Sequence, residues 1–422
     1  MNYFTSNTYE MKREIVNFSD YLSKDCHLKS EKDFLRDILY GISASNSLKL
    51  SDISRELKEK IKLDNTIERL SIHLASDMDG KESMEQNYFK FVKGMIPEEP
   101  VVNFDNSDIC KPYSTKLEYL DTVIDASDPK KEKKPGYPVV NAVVLGKNRK
   151  QPIPIYSRIV STKDPEFKSM NNYTLESISK VYEAIGKFTG VFDRGYDDKK
   201  VFRYMDKLRL DFVIRLKTNR NFLFKGIAKN VLEQANNRKG KILFTAKFQG
   251  EEKKLTISHT RVQMTDGNHE EYTCVFVYGL GEEPMMLLTN KSVHDAHDAR
   301  VIVRLYLDRW KIEEVHRAEK SAYGYEDMRV RTLKGMNHLN FIFMMLLGLI
   351  VKLIEEMDKK LLSIKIMERS RSLREDLVVF IGMFARGIKE ILSYSYTGVT
   401  RFKKEKKKAD CCMYVEQLSL QI

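Results

Sequence analysis

The sequence contains few residues that break regular structure: 20 glycines and 10 prolines in 422 residues. These counts are too low for a long disordered or fibrous region. Hydrophobic residues make up 42% and charged residues 31%, which is typical of a soluble globular protein. Because a chain of this length exceeds one ordinary hydrophobic core, we expect two to four domains.

Cysteine is also scarce, and its pattern excludes two classes of site. Apart from the adjacent last two, the cysteines are scattered, and no pair has the spacing of a zinc or redox site. They are Cys26, Cys110, Cys274, Cys411 and Cys412. We therefore expect a protein of the reducing cytosol with no structural zinc.

No apolar run is long enough to cross a bilayer. The longest, residues 341–351, covers 11 residues, whereas a membrane span needs about 20. The first residues, MNYFTSNTYEMKREIV, contain no apolar stretch of signal-peptide length. The sequence predicts a buried helix at 341–351, no export and no membrane partner.

Negative charge is in the minority. The chain has 72 Lys and Arg against 60 Asp and Glu, which gives a formal net charge of +12. Such an excess favours a polyanionic partner, because each neutralised phosphate releases counterions and strengthens binding. A basic soluble protein without such a partner is the alternative that composition leaves open.

The N-terminal residues 1–95 alternate charged and apolar positions at helical spacing, which predicts a small helical domain. Within it, residues 50–75 predict two helices joined by a short turn, a helix-turn-helix candidate. Its second helix would expose side chains that contact bases or phosphates in a major groove. They are Asn65, Thr66, Arg69 and His73. Two surface helices of an ordinary bundle are the alternative.

From Val101 the sequence changes to short β-branched runs. These are VVNFD, PVVNAVVLG, PIPIYSRIV, FTGVFD and DFVIRLK, with the helical stretch MNNYTLESISKVYEAIGKF among them. Strands mixed with helices predict an α/β core. A second strand-rich block at 222–290 should form its own small sheet. Helical periodicity returns at Ala296 and lasts to about Ser393, before the basic run RFKKEKKK.

Two aspartates end strand-like runs: Asp105 ends VVNFD, and Asp193 ends TGVFD. A carboxylate at the C-terminal edge of a strand faces a crevice rather than a packed interior. Taken singly, each is more often a turn former or a helix cap. Asp108 lies three residues beyond Asp105 and is an alternative to it. We favour Asp105, because it directly ends the apolar run.

The segment YLDRWKIEEVHRAEK, residues 306–320, carries one carboxylate among cations. On a regular helix its marked residues fall within an arc of roughly 80°. They are Tyr306, Arg309, Glu313, Arg317 and Lys320. An ordinary solvated helix face is the alternative reading of this segment alone. Trp310, the only tryptophan, lies about 40° beyond Tyr306 and is expected to pack in the core.

Together, the three carboxylates suit phosphodiester chemistry. A two-metal mechanism needs ligands that hold two Mg²⁺ ions about 3.5–4 Å apart. Hard oxygen ligands suit Mg²⁺ better than softer metals. Cations beside Glu313 would bind the phosphates that flank the scissile bond.

The spacing of Tyr306, Arg309, Glu313 and Lys320 resembles the YREK signature of the cut-and-paste DDE transposases of bacterial insertion sequences. The motifs FDNSDI, VFDRGYD, FVIRLK and MLLTN follow the family's order. The resemblance covers residues 30–350, most of the chain. Ser107, two residues after the first aspartate, fits the family's Asp-any-Ser/Thr pattern.

The resemblance implies an RNase H-like core in which Asp105, Asp193 and Glu313 are the catalytic, metal-binding triad. The resemblance further implies two Mg²⁺ ions in each active site, replaceable by Mn²⁺. By the same resemblance, five further side chains would contact DNA: Tyr306, Arg309, Lys320, Arg215 and Lys217. Arg317 is a sixth expected DNA contact, which is predicted only from its position on the same helix face.

The resemblance also implies a domain order. The helical residues 1–95 would bind the DNA ends, and residues 96–221 and 291–350 would form the core. The strand-rich block 222–290 would be a β insertion into this core. Residues 351–422 would form a helical dimerisation region with a basic tail, and the helices after Leu339 are the candidate dimer surface.

The implied function is cut-and-paste transposition in the bacterial cytoplasm, at the nucleoid. A homodimer would bind terminal inverted repeats, nick the DNA, form hairpins and join the ends to target DNA, with no small-molecule substrate. Many relatives carry a base-stacking Trp where this sequence has Met285 and Met286, so the stacking residue stays open. The alternatives are an RNase H-like DNA nuclease without strand transfer and a non-catalytic DNA-binding regulator.

Overall fold

The computed structural model describes residues 3–124, 130, 132–148, 150–248, 251–267, 270–370, 380–400 and 402. In this part of the chain, helices cover both faces of a mixed twelve-stranded sheet, which confirms the predicted α/β class. The basic run 401–408 lies outside the described residues except for Phe402, as do Cys411 and Cys412.

The N-terminal region is helical, as predicted. Its helices are α1 (Tyr3–Leu22), α2 (Lys29–Ser45), α3 (Leu50–Leu57), α4 (Leu63–Ala75) and α5 (Lys81–Val92). Their buried apolar faces join the same hydrophobic core as the sheet and the C-terminal helices. This core includes Ile38, Leu70 and Tyr88, so the N-terminal helices share their packing with the rest of the chain.

The first six strands surround the two predicted aspartates. They are β1 (Val101–Cys110), β2 (Asp121–Ile124), β3 (Lys133–Leu145), β4 (Pro152–Ile159), β5 (Thr189–Phe192) and β6 (Asp211–Arg215). Strands β1, β5 and β6 are parallel neighbours in that order, and β3 pairs antiparallel with β1, β2 and β4. Helices α6 (Met170–Ile185) and α7 (Lys199–Lys207) connect the parallel strands.

The strand-rich block does not form its own sheet, so that prediction is wrong. It contains β7 (Asn221–Phe224), β8 (Ile227–Asn230), α8 (Val231–Asn236), β9 (Ile242–Phe248), β10 (Glu251–Gln263), β11 (Glu271–Tyr278) and β12 (Met285–Thr289). Strand β12 pairs antiparallel with β6, with Leu287 opposite Arg215. The outer edge of β6 would otherwise leave backbone groups unpaired, and β12 satisfies them by continuing the sheet.

Helices return after β12, as predicted. They are α9 (Ala296–Leu307), α10 (Ile312–Arg317), α11 (Leu333–Glu355), α12 (Leu361–Arg369) and α13 (Phe380–Ser393). The regular α-helix expected over 306–320 is interrupted twice, by a 3₁₀ turn at Asp308–Lys311 and a π-helical turn at Ala318–Ala322. Such changes of helix type occur frequently at functional sites.

Helix α11 is the one described helix that is long and apolar enough to cross a membrane, yet 89% of its most apolar window is buried within the chain. The predicted buried helix at 341–351 is therefore confirmed. It packs against β4, α2, α4, α5 and α13. Because its own chain covers it, α11 cannot supply the dimer surface that we expected from the helices after Leu339. Leu361 and Ile364 of α12 remain exposed.

Side chains alternate along the strands and give the sheet two chemically distinct faces. Phe192 and Ile214 point into the core that includes α6 and α7. Val191 and Val213 point into a second core beneath α9. The same alternation directs Asp193 and the other site residues toward the face beneath α9.

Candidate active site

Asp105 and Asp193 occupy equivalent positions on neighbouring parallel strands. The paired part of β1 and β5 ends at Phe104 opposite Phe192, and each aspartate directly follows. Because β1 continues to Cys110 through its pairing with β3, Asp105 lies within the strand rather than at its end as expected. The two carboxylates nevertheless meet where the parallel pairing stops.

Helix α10 brings the third predicted carboxylate to the same place. Glu313 is half-buried on this helix, and its charge acts on Asp105 together with that of Asp193. Burial and these two negative charges raise the pKa of Asp105, against the opposing effects of Arg309 and His316. The structure thus unites Asp105, Asp193 and Glu313, which are far apart in sequence.

Arg309 lies inside this carboxylate group. Its Nη1 donates a hydrogen bond to Oδ2 of Asp105 at 2.8 Å, and both side chains are 13% exposed. The guanidinium carbon lies 5.9 Å from the ring centroid of Tyr306, which is itself buried in the core beneath α9. The ion pair therefore neutralises Asp105 in the absence of other ligands.

His316 is a member of the site that the sequence reasoning missed. It is buried, with Nε2 3.9 Å from Oδ2 of Asp105 and without a hydrogen-bond partner. Its Nδ1 lies 3.4 Å from Oε2 of Glu319. Burial lowers the pKa of His316, but the bond to Glu319 and the nearby carboxylates raise it overall. The spacing of three residues between His316 and Glu319 was the available signal, because it places both on one helix face.

Two adjacent glutamates on α10 have opposite surroundings. Glu313 is half-buried at the site, whereas Glu314 is buried and its Oε2 has no hydrogen-bond partner. Burial raises the pKa of Glu314 to about 7. Glu314 is therefore partly protonated at neutral pH and buried away from the other carboxylates, whereas Glu313 is the glutamate that adjoins Asp105.

A network of hydrogen bonds fixes the loop that carries Asp193. Oδ1 of Asp193 accepts from the backbone N–H of Gly195 at 2.7 Å. The hydroxyl of Tyr196 donates to Asn106, next to Asp105, at 2.8 Å. Asp197 is fully buried and accepts from Arg220 and from the backbone N–H of Lys217. These bonds tie the loop to β1 on one side and to the end of β6 on the other.

Asp108, the alternative first aspartate, belongs to a second group. Its ligand atoms lie within 4.8 Å of those of Cys110 and Glu326. The ammonium of Lys320 lies between them, 3.0 Å from Asp108 and 3.3 Å from Glu326. A cation of the protein thus already neutralises this group, whereas Asp105 is the aspartate that adjoins Asp193.

Comparison with known proteins identifies the family. The sequence profile described as "Transposase DDE domain" matches residues 122–349, more than half of the chain. The chain belongs to this family. The match includes Asp193 and Glu313 and begins after Asp105. No curated protein matches the sequence.

One solved structure similar to the transposase is the NurA nuclease from Sulfolobus solfataricus. The alignment covers 71% of the transposase and 97% of the nuclease, at 11% sequence identity and a TM-score of 0.25. At this score the likeness contributes nothing to the account of the site.

DNA is the partner of a DDE transposase, and such enzymes are metal-dependent. The donor set fits a hard divalent cation, because Asp105, Asp193 and Glu313 offer carboxylate oxygens from three elements on one sheet face. Burial is the main cause of the raised pKa of Asp105, and a bound cation would relieve the smaller contribution from repulsion between the carboxylates.

The cations predicted to contact DNA differ in their availability. Arg215 directly follows the last residue of β6 that pairs with β5, beside Asp193, and its buried Nε has no hydrogen-bond partner. Lys217 is exposed next to Asp197, and Arg317 is exposed on α10. Lys320 is held by Asp108 and Glu326, and Tyr306 is only 6% exposed. Of the residues expected to contact DNA beside the carboxylates, Arg215, Lys217 and Arg317 are therefore more available than Lys320 and Tyr306.

The predicted helix-turn-helix of the transposase has the expected helices, but not the expected exposed face. Thr66 is 1% exposed and donates to Glu59, so the expectation that it is exposed is wrong. Arg69 forms ion pairs with Asp37 and Glu59. His73 stacks on a phenylalanine, and Asn65 alone of the four is fully exposed. The helix turns its cation inward because Asp37 is buried and needs a partner.

Trp310 is not in the core of the transposase, contrary to expectation. Its side chain is 40% exposed, on the 3₁₀ turn beside Arg309. The 3₁₀ turn is tighter than an α-helix, so residue 310 lies at a different angle around the axis than it would on a regular α-helix. Met285 and Met286, by contrast, are buried in the two cores.

Proposed function

We propose that this DDE transposase moves an insertion sequence by a cut-and-paste route. A homodimer binds the terminal inverted repeats, nicks the DNA, forms hairpins and joins the released ends to target DNA. The observation that carries this proposal is the convergence of Asp105, Asp193 and Glu313 on one sheet face, with Arg309 among them. The YREK spacing around Glu313 supports the cut-and-paste subfamily.

An RNase H-like core is the second part of the proposal. It consists of the strands β4, β3, β1, β5 and β6, and the strands β7 to β12 are the insertion. This division is supported by the positions of the three carboxylates: Asp105 lies on β1, Asp193 directly follows β5, and Glu313 lies on α10. The insertion extends the sheet of the core through β12, so the two parts form one continuous sheet.

Two Mg²⁺ ions, replaceable by Mn²⁺, complete the proposed site, with Asp105, Asp193 and Glu313 as their protein ligands. When bound, they supply charge neutralisation at the scissile phosphate and its attacking and leaving oxygens. Arg309 must release Oδ2 of Asp105 for that oxygen to become a ligand. A DNA phosphate offers Arg309 an equivalent partner, because guanidinium groups bind phosphate and carboxylate alike.

Trp310 suits a role in holding an unpaired base. It is exposed beside the site, and base–aromatic stacking contributes about 1–3 kcal/mol per base. Because it is the only tryptophan, quenching of the protein's tryptophan fluorescence on binding DNA with an unpaired end reports this contact directly. Trp310→Ala is expected to weaken binding of the same DNA, measured by anisotropy of a fluorescent label on the DNA, and Trp310→Phe, which keeps a ring for stacking, is the conservative control.

Cleavage of labelled duplex that carries the element's ends tests the function. The wild type with Mg²⁺ is expected to give nicks and hairpins, and Glu313→Gln is expected to give neither. Glu314→Gln is the matched control, because it removes the neighbouring carboxylate that faces the core. If both variants cleave as the wild type does, the assignment of Glu313 is wrong.

A target plasmid in the same reaction separates the alternatives. Joined product supports transposition. Cleavage without joining would favour an RNase H-like nuclease. DNA binding without cleavage under any divalent ion would favour a regulator.

A further inference from the structure

A small pocket opens at an edge of the sheet, apart from the carboxylates. It has a volume of about 390 Å³, and its ionisable lining residues are Arg238, Lys239, Lys241 and His259. Ile242, Ile257 and Ser258 complete the lining, so no described carboxylate contributes to it. Within the described part of the chain, none of its three permanent cations forms an ion pair. We call this the edge pocket.

The edge pocket exists because the sheet has a gap. Strand β10 pairs with β9 as far as Ile257 and with β7 at Gln263, and neither strand pairs with residues 258–262 between them. The chain between α8 and β9 lies along this gap. The backbone N–H of Lys241 donates to the carbonyl of Ile257 at 3.1 Å, and Arg238 reaches the carbonyl of His259 at 3.5 Å.

Gly240 permits this close approach. A Cβ at this position would lie 2.5 Å from Oγ1 of Thr256 and 2.7 Å from a backbone carbon of the same residue. Any side chain would therefore push the connecting chain away from β10. The backbone that carries the three cations is consequently held against β10, and the exposed side chains of Lys239 and Lys241 extend from it.

Further cations connect the edge pocket to the carboxylates. Arg300 of α9 donates to the carbonyl of Leu243 on β9 at 3.0 Å, and Arg304 lies over the ring of Phe244 at 5.8 Å. The same helical path leads to Arg309, roughly 13 Å beyond Arg300 at 1.5 Å per residue. Arg300, Arg304 and Arg309 thus lie in succession between β9, whose first residue lines the edge pocket, and Asp105.

We propose that the edge pocket is a second DNA-backbone site, which binds phosphates of the duplex whose end lies in the active site. The proposal rests on the proposed function, because it takes the substrate DNA as the ligand. Arg238, Lys239 and Lys241 supply the charge, and the hydroxyl of Ser258 can donate a further hydrogen bond. Contacts of this kind position a duplex without reading its sequence.

The test measures binding of uncut DNA by the full chain carrying Glu313→Gln. Fluorescence anisotropy with a duplex of about 40 base pairs and arbitrary sequence gives Kd over a series of salt concentrations without divalent ions. Arg238→Ala, Lys239→Ala and Lys241→Ala combined should lower the slope of log Kd against log salt by about 2 to 3 and weaken binding at low salt at least about tenfold.

The matched control removes equal charge from the opposite face. Lys180, Lys187 and Lys207 are exposed on or beside α6 and α7, which cover the sheet face away from α9. Their combined replacement by Ala should change the slope by less than about 1. If the two triple variants lower the slope equally, net charge accounts for the binding and the proposal is overturned.

Gly240→Ala separates a built pocket from charge alone. It keeps every cation but displaces the connecting chain from Thr256, and part of the loss in the salt slope is expected, with Tm recorded to verify folding. A slope equal to that of the parent protein would overturn the edge pocket as the site. Failure of the proposed function appears elsewhere, in cleavage and joining, because this measurement uses DNA that remains uncut.

Discussion

The segment 306–320 and helix α4 were both predicted to present cations to DNA, and the structure treats them differently. In the first segment, Arg309 pairs with Asp105, on which the charges of two other carboxylates also act. In α4, Arg69 pairs with Asp37, which is 1% exposed, and with Glu59. Arg309 neutralises Asp105, which is proposed to bind a metal ion instead when DNA is present. Arg69 stabilises the packing between helices.

The exposed face of α4 reinforces this contrast. Its outward residues include Asp64 and Glu68, which would repel phosphates, together with Asn65. In the first segment Arg317 is exposed, and so is Arg304 just before it. The role of an arginine therefore depends on which carboxylates it contacts in the fold. The sequence alone does not show which carboxylates those are.

The largest expected effect distinguishes the proposed catalytic triad from the second group, which contains Asp108, Cys110 and Glu326. Asp193→Asn should reduce nicking by at least about 10³-fold, because it removes one of three proposed metal ligands. Asp108→Asn should reduce it far less, since Asp108 is neutralised by Lys320. Initial rates of nicking with Mg²⁺ measure both. Equal losses of nicking rate in the two variants would show that the assignment of the catalytic group to Asp105, Asp193 and Glu313 is wrong.

The next effect distinguishes the two arginines. Arg69→Ala should lower the free energy of unfolding by about 3 kcal/mol, because it leaves Asp37 buried and without its main partner. Its DNA affinity should remain within about twofold of the wild type, whereas Arg309→Ala should weaken DNA binding by about tenfold through the loss of a phosphate contact. Urea unfolding and anisotropy provide the two readouts. A loss of DNA affinity in Arg69→Ala at unchanged stability would restore α4 as a recognition helix.

A smaller effect is expected in the pH dependence of stability, through the buried Glu314. Because burial raises the folded-state pKa of Glu314 to about 7, above its ordinary value of 4.5, its stabilising contribution is fully present below pH 4.5 and is lost as pH rises through about 7. Glu314→Gln should therefore raise the free energy of unfolding by about 2 kcal/mol at pH 8 and by nearly nothing at pH 4.5. Urea unfolding at both pH values measures the difference. A constant effect across this range would show that Glu314 does not titrate between them.

Regular elements were predictable where local sequence determines them. The β-branched runs became β1, β3, β4, β5 and β6, and the apolar stretch at 341–351 became part of α11. The continuation of β1 beyond Asp105 was not predictable, because it depends on pairing with the distant β3. The joining of β12 to β6 likewise depends on an edge that only the assembled sheet presents.

The candidate site was predictable through its spacing, and its details were not. The separation of Arg309, Glu313 and Lys320 carried the resemblance, and the structure brings Glu313 to Asp105. The exposure of Trp310 follows from a 3₁₀ turn, and the burial of His316 follows from packing against the sheet. The exposure of Trp310 leaves no local signal, because it depends on the backbone geometry between α9 and α10, and the spacing of His316 and Glu319 indicates only that the two residues share a helix face.

The most direct measurement of the central claim is binding of Mn²⁺, detected by electron paramagnetic resonance, to the complex of the protein with uncut DNA. The wild type should bind two ions per active site. Asp105→Asn, Asp193→Asn and Glu313→Gln should each weaken this binding by at least about tenfold, whereas Asp108→Asn should leave it unchanged. Wild-type binding of Mn²⁺ by all three triad variants would contradict the account.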